Sequence, residues 1–319
     1  MPRARKHLVC VSNTPYYLVT SRCVRSAFLC GVDRDSGNSY AHRQGWIEDR
    51  VRVLSSLFTV HLCAYAVMSN HYHLVVKLCP DEAREWSADE VLKRWTSMFR
   101  GPLLVQRYLA GKPLSGIEQD TLGDLVSVYR KRLNSLSWFM KCLNEPVARK
   151  ANAEDGCTGH FWEARFHSQP LVTARALLTA MAYVDLNPIR AGTAQTPERS
   201  QHTSIRTRIE GDRRTQVRMA TSRLLASTEL QHFTSPIRSL MPFSDTLVMK
   251  KEKAVTNALP MTERDYLILV DVTGRAVRKG KRGKIDARLA PILERIRLSL
   301  DQWTEASIDF RRCHRGGDL

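Results

Sequence analysis

His71 and His73 stand one residue apart in the run Ala66-Val67-Met68-Ser69-Asn70-His71-Tyr72-His73-Leu74-Val75-Val76. On a strand, side chains two apart share a face. The two imidazoles therefore project together, and Tyr72 points the other way. Convergent neutral imidazoles are half of a divalent-metal site. Their apolar flanks sharpen this reading, because unpaired polar groups in a core are costly and a metal is one way to satisfy them. A second reactive group lies in Ala182-Tyr183-Val184-Asp185-Leu186-Asn187-Pro188. Residues four apart on a helix share a face, so Tyr183 and Asn187 can turn to the sheet together. The first offers a phenolic oxygen and the second a carbonyl ligand. A metal on His71, His73 and Asn187 keeps positions open for a phosphate, which it polarises, and a metal-assisted tyrosine is a competent nucleophile. Together these parts make a phosphotyrosine strand-transfer site. Singly they are ordinary: His-x-His pairs arise by chance, and a lone tyrosine in such a helix is more often half-buried core.

The elements that must position these groups can be read along the chain. Residues 9–22 contain Tyr16-Tyr17-Leu18-Val19-Thr20 and read as a first strand. A polar loop over 31–45 precedes a helix over 46–58, a strand over 59–67, a turn at Met68-Ser69-Asn70 and the histidine strand. Ser87-Ala88-Asp89-Glu90 is a capping box that opens a helix through Trp95 and Phe99. Residues 100–120, dotted with Gly and Pro, read as an insertion, and 122–144 as one helix with a core stripe of Leu125, Tyr129, Leu133, Leu136, Met140 and Leu143. After Ala153-Glu154-Asp155-Gly156, residues 165–172 are a last strand. Thr173 then caps a helix over 174–186 that stops at Asn187-Pro188. The order β-α-β-β-α-(α)-β-α predicts an α+β fold: an antiparallel sheet with helices on one face, in the ferredoxin-like split βαβ arrangement. It fills residues 1–195. Residues 196–260 read as a polar linker with a helix over 215–230. Residues 261–319 read as a small basic helical segment with helices near 262–270, 288–300 and 302–310, interrupted by the basic run 278–284.

Composition narrows the partner. The 319 residues carry 49 Lys and Arg against 32 Asp and Glu, a net charge of +17. Such a surplus suits a polyanion, nucleic acid first. It is spread evenly: residues 196–319 hold 24 basic against 15 acidic side chains, and residues 1–195 hold 25 against 17. A hydrophobic share of 43% supports a real core, and no apolar run is long enough to span a bilayer. The basic start, Met1-Pro2-Arg3-Ala4-Arg5-Lys6-His7, does not read as a signal peptide, so a cytoplasmic, nucleoid-associated protein is expected. The eight cysteines form no Cys-x-x-Cys pair, which argues against a zinc ribbon and for free thiols.

Three ordered motifs carry a resemblance. Asn70-His71-Tyr72-His73-Leu74-Val75 resembles the HUH motif of single-tyrosine transposases. Tyr183-Val184-Asp185-Leu186-Asn187-Pro188-Ile189-Arg190-Ala191-Gly192 resembles the tyrosine-bearing helix end of their REP-associated branch. Gly159-His160-Phe161-Trp162-Glu163-Ala164-Arg165-Phe166 is similar to a further segment of that branch. The likeness covers residues 7–195. It implies an HUH nuclease core that cuts single-stranded DNA beside imperfect hairpins of repetitive palindromic elements, leaving a 5′-phosphotyrosine and a free 3′-OH. It also implies Mg²⁺ or Mn²⁺ and no nucleotide cofactor. A homodimer is one assembly it admits.

Position by position, His71 and His73 match the metal ligands, Tyr183 the nucleophile and Asn187 a third ligand, with Asp185 in reserve. Many relatives carry a tyrosine in the segment aligned with Leu143-Asn144-Glu145-Pro146-Val147-Ala148-Arg149, and none stands here. His160, Arg165, Arg190, Arg278, Lys279, Lys281 and Arg282 are the candidate DNA-backbone contacts, while Trp162 and Phe166 read as core. Two rivals remain. One is a DNA-binding protein of the same fold without activity. The other is an amidohydrolase-type metalloenzyme, which would need βα repeats with later His and Asp ligands that this element order does not supply.

Overall fold

The computed structural model describes residues 11–24, 30, 37–211, 236–244 and 258–296. The helices expected over 215–230 and 302–310 lie outside them. Strand β1 (Tyr16–Arg22) leads to helix α1 (His42–Leu57), which begins four residues earlier than 46, the start read from the sequence. Strands β2 (Val60–Val67) and β3 (His71–Leu78) form the expected hairpin, and β4 (His167–Pro170) is the last strand. The sheet order is β2-β3-β1-β4, and every neighbouring pair is antiparallel.

Between β3 and β4 the chain is wholly helical in its regular parts: α2 (Glu82–Glu85), α3 (Ala88–Thr96), α4 (Leu103–Leu109), α5 (Gly116–Leu133) and α6 (Leu136–Glu154). The Ser87 side chain accepts from the Glu90 N–H, as the capping box requires. Two readings are corrected here. The stretch read as an insertion contains α4 and the start of α5, which Ser115 and Glu118 cap reciprocally. The single helix expected over 122–144 is two, because Ser135 leaves helical geometry and its hydroxyl caps α6. The core stripe holds across the break, with Tyr129, Leu133, Leu136, Met140 and Leu143 all buried.

Helices cover both faces of the sheet, not the one face expected. On one side Tyr72, Leu74 and Val76 of β3 meet Tyr17 and Val19 of β1, Ile47, Val51 and Leu54 of α1, and Phe139 and Leu143 of α6. On the other, Val75, Ala64 and Ala66 meet Leu177, Met181 and Val184 of α7 (Ala174–Asp185). The physical reason lies in β2 and β3, whose near-continuous burial leaves no solvated face.

The C-terminal part joins this second layer. Helix α8 (Asn187–Ala191) follows α7 through Leu186, and a short 3-10 turn, Pro197–Arg199, precedes α9 (Ser204–Glu210). Helices α10 (Glu263–Arg275) and α11 (Ile292–Arg295) complete the described elements. The first part of the segment read as a linker is packed: Ile205 is fully buried, and the Ser204 hydroxyl accepts from the Tyr65 N–H at 2.9 Å. Tyr266, Leu267, Val270, Ile285 and Ile292 share the core beneath α7.

Candidate active site

The site lies where the β2–β3 hairpin meets α7. The register sets Thr20 opposite His73 and Arg22 opposite His71 on β1. The two imidazoles face one side, with ring centroids 4.9 Å apart. Each ring has one nitrogen engaged. His71 Nδ1 lies 2.6 Å from Asn70 Oδ1; when Nδ1–H donates there, Nε2 keeps its lone pair. His73 Nδ1 lies 2.8 Å from Thr20 Oγ1. When Nδ1–H donates there, His73 Nε2 presents its lone pair too, the usual outer-shell arrangement of a metal-binding histidine. That Nε2 is buried and has no hydrogen-bond partner.

Both rings are held neutral. Burial first, then the cations of Arg22 and Lys281, bring His71 down to about 4. Burial, His71 and Arg22 bring His73 down to about 3. A neutral imidazole is the form that binds a metal.

Thr173 caps α7 by accepting from the Ala176 N–H, as the sequence suggested. This helix lays Tyr183 beside the pair: its ring is edge-on to His73, centroids 5.5 Å apart, and remains 39% exposed. A substrate can therefore reach the phenol. Asn187 follows one turn later as the first residue of α8. It is buried, and its Nδ2 has no partner. A 180° turn of the amide exchanges Nδ2 with Oδ1, so this buried position can offer a metal an oxygen. His71 and His73 present two neutral imidazoles, one with a buried unpaired nitrogen, and the Asn187 amide is a further buried group without a partner; nitrogen and oxygen donors of these kinds suit a divalent cation.

Asp185, the reserve ligand, is spoken for. It is fully buried, and its carboxylate accepts from Ser204 Oγ at 2.5 Å, Ile205 N–H at 2.9 Å and Tyr266 Oη at 2.6 Å. The segment 143–149, where relatives carry a tyrosine, is on α6 behind the sheet. Tyr72, pointing away from the histidines, donates its hydroxyl to Asn144 of that segment.

The expected phosphate contacts divide. His160 and Arg165 are exposed on a stretch tied to the histidine end of the sheet, where the Glu163 N–H donates to Arg22 O at 2.9 Å. Phe166 is buried and Trp162 half-buried, as read. Arg278, Lys279, Lys281 and Arg282 are exposed. Arg190 is the correction: it is buried, and its guanidinium donates to Thr273 O at 2.6 Å, Ala276 O at 2.7 Å and Gly283 O at 3.5 Å. Those bonds make it a structural strap.

Sequence reasoning missed Thr20 and Arg22, which only strand register brings to the histidines. It also missed His167, which pairs with Thr20 from β4 and shares that face. Among the described residues a further set of metal-type donors, His61, Cys79 and Glu82, gathers within 4.8 Å at the far end of β2 and β3. Glu82 there is shared between His61 at 2.5 Å and Arg238 at 3.4 Å.

No family model matches the chain, and no curated protein matches it. A solved structure of a REP-associated tyrosine transposase bound to a REP hairpin is similar over 72% of this chain and 94% of that one, at 9% identity and a TM-score of 0.34. A likeness that slight leaves the site to stand on its own geometry.

Proposed function

We propose that the chain is a metal-dependent, tyrosine-nucleophile DNA endonuclease and strand transferase of the HUH type, acting on single-stranded DNA that bears hairpins. The observation that carries this reading is the edge-on contact of Tyr183 with His73, a histidine whose Nε2 is buried without a partner. A ferredoxin-like core accords with the sheet order, in which β3 lies between β2 and β1 and runs against both.

His71, His73 and Asn187 would hold Mg²⁺ or Mn²⁺, which when bound polarises the scissile phosphate and stabilises the leaving oxygen. The protein's own groups do the rest. Thr20 and Asn70 fix the imidazoles, α7 aims the phenol, and the exposed basic side chains grip the strand backbone. In the transfer, Tyr183 Oη forms a bond to phosphorus and the P–O3′ bond breaks. The phenolic proton is released and the 3′ oxygen takes one up, leaving a 5′-phosphotyrosine and a 3′-OH. No electrons change hands.

The test is labelled single-stranded hairpin DNA with Mn²⁺, run on a denaturing gel. Wild type should give a covalent adduct. Tyr183→Phe should give none while still binding the hairpin. An adduct that persists in Tyr183→Phe removes Tyr183 as nucleophile, and a wild type that binds hairpins without any adduct leaves a DNA-binding protein only.

A further inference from the structure

A second group of side chains with chemistry to offer stands at the end of the sheet away from His71 and His73. The register sets His61 opposite Lys77, and the Cys79 N–H donates to Thr59 O at 2.9 Å, which carries the pairing one step past β3. His61 and Cys79 therefore fall on one face of the hairpin. The turn Cys79-Pro80-Asp81-Glu82, closed by the Glu82 N–H on Cys79 O at 3.1 Å, returns the Glu82 carboxylate to the same place. His61, Cys79 and Glu82 each offer one donor atom, and these atoms lie within 4.8 Å of one another.

The contact inside the cluster is not that of a simple ion pair. His61 Nε2 is 2.5 Å from Glu82 Oε1, yet the contact lacks hydrogen-bond alignment and leaves this buried nitrogen without a partner. A lone-pair nitrogen and a carboxylate oxygen gathered in this way are satisfied by a cation between them. The other oxygen, Glu82 Oε2, accepts from the Arg238 guanidinium at 3.4 Å, and Arg238 is anchored by its N–H on Ser56 Oγ at 2.7 Å. An outer bond of that kind orients a ligating carboxylate. Lys77 shares the face, but its ammonium lies over the Tyr16 ring, 5.9 Å from the centroid. Cys79 is a free, half-buried thiol, and the side chains of His61 and Glu82 are 17% and 30% exposed, so solvent reaches the cluster.

We propose that His61, Cys79 and Glu82 form a zinc site, separate from the His71 site, in which water fills the fourth position. The donor set decides the metal. Sulfur, imidazole and carboxylate together suit Zn²⁺, whereas Mg²⁺ and Mn²⁺ prefer oxygen. Tetrahedral zinc holds such ligands about 3.3–3.6 Å apart, a spacing these donors reach by small side-chain rotations. On binding, the Cys79 thiol gives its proton to solvent, and thiolate and carboxylate together balance the charge of the ion. The site would clasp β2 to the turn before α2 and, through Arg238, to the segment that follows residue 236. It does not depend on the strand-transfer reading.

Cobalt(II) is the probe, because its bond to a thiolate gives an intense near-ultraviolet charge-transfer band that nitrogen and oxygen ligands alone do not. Full-length protein, reduced with a phosphine, should develop this band on titration with Co²⁺, and Zn²⁺ should abolish it. The band should survive in the His71→Ala/His73→Ala double variant and vanish in Cys79→Ser. His61→Ala and Glu82→Gln should each weaken Zn²⁺ binding, read by competition with a chromophoric chelator, by at least the roughly 10–100-fold that loss of an outer-shell partner costs. Absence of the band in wild type overturns the proposal, whatever the variants do. So does a band that survives Cys79→Ser. Unchanged Zn²⁺ affinity in both His61→Ala and Glu82→Gln overturns it as well, leaving Cys79 a lone thiol beside an ion pair of His61, Glu82 and Arg238.

Discussion

At the scale of the residue, the site depends on neutral, oriented imidazoles. Thr20→Val would leave His73 Nδ1 without its partner, and loss of such an outer-shell bond lowers metal affinity by roughly 10–100-fold. Titration calorimetry with Mn²⁺ should show that drop, and Thr20→Ser should largely avoid it. The same burial links the histidines to stability. An unfolded chain takes up a proton on each near 6.5, whereas the folded protein holds His71 to about 4 and His73 to about 3. The unfolded state thus binds more protons across that window, and stability falls as pH drops from 6.5 toward 3. Urea midpoints measured from pH 7 to pH 4 should decline, and a His71→Phe/His73→Phe double variant should decline less. An equal slope in both would place the acid sensitivity elsewhere.

At the scale of the element, α7 and α8 are held to the rest of the chain by polar bonds as well as by their apolar face. Asp185 accepts from three donors in α9 and α10. Asp185→Ala would leave those donors buried and unpaired, at a cost of about 1–3 kcal/mol each. Thermal unfolding should therefore show severe destabilisation, and Asp185→Asn a smaller one. This is also where the sequence was least legible. The hairpin, the Ser87 and Thr173 caps and the spacing of His71, His73, Tyr183 and Asn187 were all readable because each is decided by neighbours within a turn or a strand. Asp185 and Arg190 looked like ligand and phosphate contact because their partners lie outside the motif: Ser204 and Ile205 stand 19 and 20 residues on from Asp185, and Tyr266 and the carbonyls of Thr273, Ala276 and Gly283 more than eighty residues away. The covering of both sheet faces had a local signal in the unbroken apolar run Leu74-Val75-Val76, but β-strand alternation was the wrong template for it. Thr20 had none, since register alone sets it opposite His73.

At the scale of the molecule, the strand proposed as substrate would settle in the field of a net charge of +17. If some six phosphates are neutralised, hairpin affinity should fall by roughly 10³-fold between 50 and 200 mM salt, while the adduct rate at saturating protein should barely move. Filter binding across that range checks the first, and gel quantitation the second. A salt-insensitive affinity would deny the basic surface its role. The Arg190 strap has a consequence for synthesis as well. A ribosome that has released only the first two hundred or so residues has already made both histidines and Tyr183. The segment that seats against α8 and buries Tyr266 beneath α7 is still to come. A chain truncated there would carry His71, His73 and Tyr183 without the segment that packs beneath α7 and against α8, so the seat of these two helices is completed only late in synthesis.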